Sequence, residues 1–375
     1  MLRFGFLSTY PPTHCGLATF TEALASALRS GGDAEPVIVR VLDHGGRHVE
    51  TRFTMSSVAA QLISGDLESQ AVSVRTLNQC DIAIVQHEYG IYGGDDGDEV
   101  IAVMEGLTVP TIVVLHTVLA TPTTHQKAVL ERVAALATSV VVMSDHPRNL
   151  LGTLYDIDMV KVHVIPHGVP DRVDSVTVGP GRRLITWGLI GEGKGIEWGI
   201  RAMARLADMD PRPQYLVVGR THPKVLEQFG ERYRESLVAL VQQLDLEAVV
   251  TFVDEYLDAA ELAEHVARAD AVLLPYDSRD QVTSGVLVEA VAAGKPVIST
   301  GFPHAVELLS NGAGIIIPHR DADAIAEAVR TVLDDRQSAE RMAVAASRAT
   351  MGTGWSEVAA QYRALADTIL ATRAA

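Results

Sequence analysis

The stretch Ala271–Thr300, AVLLPYDSRDQVTSGVLVEAVAAGKPVIST, sets the fold class of this chain. It opens on the run Ala271–Tyr276, which is continuously apolar up to its last residue rather than alternating. A strand covered on both faces reads this way. A polar loop follows, with Ser284 and Gly285 at the predicted start of a helix, and a second apolar run, Pro296–Thr300, closes the segment. Strand, helix and strand within about thirty residues make a βαβ unit, whose strands lie parallel in one sheet.

Similar runs recur on both sides of this stretch. Towards the N-terminus they are Leu2–Leu7, Asp81–His87, Thr111–His116, Ser139–Ser144 and Val162–His167; around the deciding segment they are Arg183–Gly188, Gln214–Gly219, Val249–Asp254 and Ala313–Pro318. Segments with apolar residues three and four apart separate them. In the clearest, Thr19–Arg29, residues Phe20, Leu24 and Leu28 share a face, Thr19 and Glu22 form a capping box, and Gly31-Gly32 supplies the stop. The pattern occurs twice, and the Gly-, Pro- and Asp-rich stretch Gly168–Arg182 reads as a linker between two Rossmann-like domains. The boundaries are residues 1–170, residues 182–350 and a C-terminal segment, 351–375. The strand ends are polar or glycine in both halves: His87, His116, Ser144, His167, Gly188, Gly219, Asp254, Tyr276 and Thr300. Ligands of open α/β sheets bind outside the carboxyl ends of strands, so the expectation is two such edges facing an interdomain cleft.

Length and composition agree with this. At roughly 100–200 residues per domain, 375 residues make two domains. With 31 Lys and Arg against 47 Asp and Glu the formal charge is −16, which repels a phosphate backbone and argues against a nucleic-acid partner. Cys15 and Cys80 match neither CxxC nor a zinc ligand set, which suggests a reducing compartment. No apolar run approaches the ~18 residues of a membrane span, and Met1–Pro12 is unlike a signal peptide. A soluble, cytoplasmic protein is expected.

Three loops carry candidate chemistry. Ser8–Gly16 joins the first strand to its helix; Gly16 lets the backbone approach a ligand, and the helix start offers free N–H groups to an anion. It is neither GxGxxG nor GxxxxGK[ST], so neither an NAD site nor a Walker-type site is indicated, and an ordinary turn reads it equally well. Trp187–Gly195 places four glycines around Lys194 at a strand's carboxyl end, which suits a phosphate leaving group. In the third, Ser284 and Gly285 open a helix whose dipole attracts phosphate, and Glu289 lies among Val286, Leu287, Val288, Ala290 and Val291. A carboxylate there needs a partner, and ribose hydroxyls supply one without neutralising it. A structural salt bridge is the competing explanation.

With those residues in view, the chain resembles the retaining GT-B glycosyltransferases of family GT4, the glycosyl transferases group 1. The likeness runs from the Gly16 loop through His116, Val164–Gly168, Gly188–Gly195 and the E-x7-E region at 281–289 to Trp355 and Tyr362 in the last helix. It implies an α/β GT-B fold, a nucleotide diphosphate sugar (GDP-mannose or a UDP-hexose) held mainly by the C-terminal domain, an acceptor on the N-terminal domain, and a last helix, Ser356–Thr372, crossing back to the N-terminal domain. It implies that Glu289 binds the ribose, that Lys194 and the Gly16 amide neutralise the departing diphosphate, that the Ser284, Gly285 and Val286 amides contact phosphate and sugar, and that His116 contacts the sugar. Retention then proceeds on one face with the diphosphate taking the acceptor's proton, without a metal or further cofactor. The transferred sugar is a hexose, with mannose slightly preferred, and the acceptor is a carbohydrate or lipid-linked molecule, with peripheral membrane contact open.

Two departures stand out. The first Glu of E-x7-E is Gln281, which can hydrogen-bond a sugar hydroxyl but carries no charge, and the usual Arg after Gly188 is Leu189. Arg220, just past its strand, is a candidate replacement cation. These departures keep a non-catalytic sugar-nucleotide or protein binder in view, beside a GT-B epimerase or phosphorylase, the last of which needs a pyridoxal-phosphate lysine. Asp95-Asp-Gly-Asp98 resembles a metal-binding DxD but reads better as a solvated acidic turn. Gln86–Tyr89 is a candidate acceptor edge, and the histidines at strand ends show no metal-ligand spacing.

Overall fold

The computed structural model describes residues 1–32, 34–42, 58–170, 181–278 and 283–374. The chain divides into two compact units, 1–168 with 352–375, and 169–351. The linker stretch therefore falls mostly outside the described residues, as do Gln281 and the Arg279-Asp280 pair before it.

The first unit contains β1 (Leu2–Ser8), β2 (Ala34–Leu42), β3 (Val58–Ile63), β4 (Ile82–His87), β5 (Thr111–Leu115), β6 (Ser139–Val142) and β7 (Val162–Val164). They form one sheet in the order β3-β2-β1-β4-β5-β6-β7, parallel at every pairing. Consecutive residues feed opposite faces. Phe4, Phe6, Ile82, Ile84, Ile112 and Val114 enter one core cluster, while Leu7, Val85, Val113 and Leu115 enter the other. That two-sided burial produces the unbroken apolar runs. The sheet is two strands wider than the sequence reading, because β2 and β3 were not recognised. β2 carries Glu35, Pro36 and Arg40 and β3 carries Gln61, and these polar positions dilute the apolar signal.

The first helix also begins earlier than expected. It spans Gly16–Ser30 with Cys15 at the N-cap position, and Thr19 lies inside its first turn, donating its hydroxyl to the Gly16 carbonyl at 2.9 Å. The proposed capping box is thus not the start, although the stop is as read: Gly31 caps the C-terminus and Gly32 takes φ +84°. The last helix, Trp355–Ala374, packs in this unit. Val358, Ala359, Tyr362, Ala366 and Ile369 share a core with Phe20 and Leu24, the three-and-four spacing of a buried helical face.

The second unit contains β8 (Arg183–Trp187), β9 (Gln214–Val218), β10 (Val250–Val253), β11 (Ala271–Leu274), β12 (Val297–Thr300) and β13 (Gly314–Ile317). Their order is β10-β9-β8-β11-β12-β13, again wholly parallel. Both sheets run outwards in opposite directions from their first strand, the doubly wound order, and so reverse beside β1 and beside β8. Loops at the carboxyl ends of strands flanking such a reversal form the ligand crevice of open α/β sheets. In the second unit these are the loops after β8 and β11. In its described residues the deciding stretch is strand, helix and strand as read, with the helix Gly285–Ala292 between β11 and β12.

Candidate active site

The loop after β8 is stitched to its neighbours on two sides. Towards β9, Gly188 N–H donates to the Val218 carbonyl (3.1 Å), Ile190 N–H to that of Arg220 (2.8 Å) and His222 N–H to that of Ile190 (2.8 Å). Towards β11, the Gly193 carbonyl accepts from the N–H groups of Asp277 (2.8 Å) and Ser278 (3.2 Å). Gly195, at φ +63°, lies so close to this segment that a Cβ would come within 2.0 Å of the Pro275 carbonyl oxygen. Only glycine fits there. The result is a fixed loop presenting Lys194, whose ammonium sits 4.2 Å from the centroid of the Tyr276 ring.

The segment after β11 is held as firmly. The Tyr276 carbonyl accepts from the Thr300 hydroxyl (2.7 Å) and the His319 ring (2.9 Å). The Arg320 guanidinium engages Asp277 through two nitrogens, Nε at 2.7 and 2.9 Å and a terminal nitrogen at 2.5 Å. Asp277 is thereby committed to Arg320, and among the described residues Lys194 has no carboxylate partner.

The helix Gly285–Ala292 begins beside this loop: a Cβ at Gly188 would lie 3.5 Å from Val286 Cγ2. Ser284 is its N-cap, accepting from Leu287 N–H at 3.2 Å. The Ser284 N–H is itself donated to buried His304 Nδ1 at 3.0 Å, so the expected Ser284 amide contact is already occupied. Gly285 and Val286 have no hydrogen-bond partner for their amides among the described residues. The bond also fixes the His304 tautomer, with the proton on Nε2. Glu289, one turn beyond Val286, is partly exposed while Leu287, Val288, Ala290 and Val291 are buried. It therefore lies on the face towards β8 rather than within the apolar side of the helix, and accepts from Trp187 Nε1 at 3.3 Å. Loss of hydration raises its carboxyl above the usual value, and the indole hydrogen bond partly offsets this.

Arg220 contributes its carbonyl to the β8 loop, but its side chain is exposed and makes no ion pair among the described residues. The buried cation here is Arg234, which the sequence reading missed. It donates to the Gly219 carbonyl and to Thr221 Oγ1 (3.4 Å), and pairs with Asp254 (2.9 Å). Its only sequence signal is a position inside a helix of mixed charge.

In the first unit, the loop after β1 delivers Gly16 as the first residue of its helix. The Gly16 and Leu17 amides have no partner among the described residues, and a Cβ on Gly16 would meet nothing within 4 Å. His116 follows β5, its Nε2 2.6 Å from Gln86 Oε1. His116, His167 and Trp355 each stand edge-on to Phe20, at 5.0, 5.1 and 5.1 Å between ring centroids. Burial lowers His116 to about 3, helped by His167 and His87, and lowers His167 and His87 each to about 4. All three imidazoles are neutral at pH 7, so each offers a donor and an acceptor but no charge. Both ring nitrogens of His87, with Gln86 Nε2 and Ser144 Oγ, are buried without a hydrogen-bond partner.

The acidic turn Asp95–Asp98 serves a neighbouring helix: Asp96 accepts from the His125 ring (2.9 Å) and Gln126 Nε2 (3.2 Å). Among the described residues no cluster of His, Cys, Asp or Glu is arranged to hold a metal ion, and no helix is long and apolar enough to cross a membrane.

Residues 172–349 match the family described as glycosyl transferases group 1. This segment, a little under half of the chain, is what resembles that family. The segment contains Lys194, Arg220, Ser284, Gly285, Val286 and Glu289, while Gly16 and His116 lie outside it. The chain is 31% identical over 258 residues to a D-inositol 3-phosphate glycosyltransferase of Kineococcus radiotolerans, covering 61% of this chain and 57% of that protein. It is also 31% identical over 234 residues to a glycogen synthase of Mycobacterium tuberculosis, covering 60% and 52%. The chain thus spans little more than half the length of these relatives. Its fold is that of a sucrose-phosphate synthase from Thermosynechococcus elongatus (TM-score 0.74, 18% identity, 99% of this chain and 100% of that one). It is also that of Anabaena HepE, solved with UDP and glucose (TM-score 0.72, 17% identity, 98% and 100%). The GT-B architecture of two parallel-sheet α/β units is common to them.

Proposed function

We infer that this chain is a group 1 glycosyltransferase moving a hexosyl group, with retention, from a nucleoside diphosphate sugar to an acceptor hydroxyl. The observation that carries this reading is the set gathered at the sheet reversal of the second unit: an ammonium without a carboxylate partner and two unengaged amides opening a helix, both among the described residues, and a carboxylate held by Trp187. The first two are complementary to a diphosphate, and each charge-assisted hydrogen bond contributes about 1.5–3 kcal/mol. Glu289 accepts hydrogen bonds from the ribose hydroxyls.

In the transfer, the bond from sugar C1 to the diphosphate oxygen breaks while the acceptor oxygen bonds to C1 on the same face. The acceptor proton passes to the departing diphosphate, so no protein base is needed. Lys194 and the Gly285 and Val286 amides take up the charge on the leaving group, and in the first unit the Gly16 amide is a candidate anion contact. His116, neutral, donates to or accepts from a sugar hydroxyl. Gln281 is assigned a hydrogen bond to the sugar, and Arg220 the role of a mobile second cation. The neutral imidazoles and the Phe20–Trp355 aromatic cluster of the first unit suit a polyhydroxylated acceptor, carbohydrate or lipid-linked. A relative named as a phosphatidyl-myo-inositol mannosyltransferase supports mannose, for which GDP-mannose is the donor we propose, and the UDP of HepE keeps UDP-hexoses alongside.

The test is a thermal-shift screen with UDP, GDP and ADP and their sugars, followed by product analysis with the donor that binds. A shift abolished by Lys194→Ala, with an α-linked product from an α-linked donor, is the expected result. No shift with any of them would remove the reading. Leu189, in place of a second cation, favours one alternative: binding without turnover, which would give the shift but neither product nor donor hydrolysis.

A further inference from the structure

We propose that Tyr276 is a positioning residue: its ring holds the Lys194 ammonium ready for the diphosphate by a contact that leaves the positive charge unneutralised. This inference rests on the donor reading of the same site. Were the ammonium paired with a carboxylate, a diphosphate would have to displace that carboxylate. Here Asp277, the residue after the ring, is taken up by Arg320, and the ammonium rests 4.2 Å from the centroid of an aromatic ring instead. A ring attracts a cation through its quadrupole, without the charge that would compete with phosphate.

The ring is fixed for this task. It is wholly buried and stacks on buried Phe302 at 5.3 Å with 19° between planes. Its backbone is pinned by the two hydrogen bonds to its carbonyl, and Gly195 packs on the preceding carbonyl of Pro275. The hydroxyl has no part in this, being buried without a hydrogen-bond partner. Phenylalanine therefore suffices at the position, and an aliphatic residue does not.

The experiment titrates UDP and GDP calorimetrically into the full chain and into Tyr276→Phe, Tyr276→Leu, Lys194→Met and the Tyr276→Leu/Lys194→Met double variant. For the nucleotide that binds, Tyr276→Phe is expected within about twofold of wild type, and Tyr276→Leu weaker by about three- to thirtyfold, the range of one cation–π contact. In the Lys194→Met background, Tyr276→Leu is expected to cost nothing further. Equal binding by Tyr276→Leu and wild type, or the same loss with and without Lys194, overturns the inference. A second readout needs no nucleotide. The chain has five lysines, and 13C-methylation gives each an NMR signal. That of Lys194 is expected upfield from the ring current in wild type and Tyr276→Phe, and shifted back in Tyr276→Leu. A Lys194 signal at the position of a free lysine in wild type also overturns the inference. Absence of nucleotide binding by wild type, with the upfield signal intact, overturns the donor reading and with it the hand-over to phosphate, but not the ammonium's placement.

Discussion

Two glycines in the proposed donor machinery predict opposite outcomes for the same substitution. Gly195→Ala puts a methyl group 2.0 Å from the Pro275 carbonyl oxygen, where real contacts stay beyond about 3.0 Å. The loop must retreat by about 3.0 − 2.0 = 1.0 Å. The residue also keeps φ +63°, a left-handed conformation costing a non-glycine residue about 1–2 kcal/mol. With the displaced backbone contacts, a destabilisation of about 2–3 kcal/mol is expected, or roughly 4–12 °C in the melting temperature of a unit this size. Lys194 is the adjacent residue, so the same retreat carries its ammonium off the Tyr276 ring. A 1 Å misplacement is worth up to about a hundredfold in rate. Gly16→Ala, at a helical position where a Cβ meets nothing within 4 Å, gains about 0.4–1 kcal/mol from the stiffer unfolded chain. Yet it places a methyl group beside the amides opening this helix, where an anionic ligand is to approach. Urea denaturation and donor turnover on both variants check this pair: Gly195→Ala loses stability and activity, while Gly16→Ala gains stability and loses activity. A Gly195→Ala protein as stable as wild type would refute the packing, and an unimpaired Gly16→Ala enzyme would refute the ligand's approach over Gly16.

Further predictions concern the partners of this site. The Glu289 carboxyl is raised in the folded state, so the native protein holds that proton more tightly than the unfolded chain. Ionising it therefore costs stability as pH rises through the folded value, and nothing is lost below the unfolded one. Glu289→Gln is thus expected to raise the melting temperature at pH 7, to leave it unchanged near pH 4, and to abolish transfer; an unchanged melting temperature at pH 7 would contradict the burial of the charge. Arg234→Met removes ion pairs to Asp254, 58% exposed, and to Glu231, 37% exposed, each worth about 0–1 kcal/mol. It also strands the Gly219 carbonyl, at about 1–3 kcal/mol. A total loss of about 1–5 kcal/mol in urea unfolding is expected from these contributions, and the double variant with Asp254→Asn should lose little more than Arg234→Met alone.

What could be read from the chain alone follows the range of each signal. Runs such as Ile82–Val85 in β4 and Ile112–Leu115 in β5 are apolar at every position because consecutive side chains fill opposite cores, so burial on both faces is written locally. β6 and β7 end before their apolar runs do, because the backbone leaves the sheet while Met143 and Ile165 are still buried. β2 and β3 escape the pattern because Pro36, Arg40 and Gln61 interrupt it, and the first helix starts ahead of its expected cap because Thr19 bonds Gly16 within the turn rather than capping it.

The residue types of the site were equally legible: a lysine among glycines, a Ser-Gly helix start and an acid one turn on. Their partners were not. Trp187 meets Glu289 across 102 positions, Tyr276 lies under Lys194, and His304 removes the Ser284 amide from service. Each of these contacts depends on β8 lying beside β11 and β11 beside β12. Hydrophobic period and turn chemistry act over a few residues and specify which segments become strands and helices. Which strand lies next to which is settled by packing the whole chain into two covered sheets, and only that order brings these side chains within reach of one another.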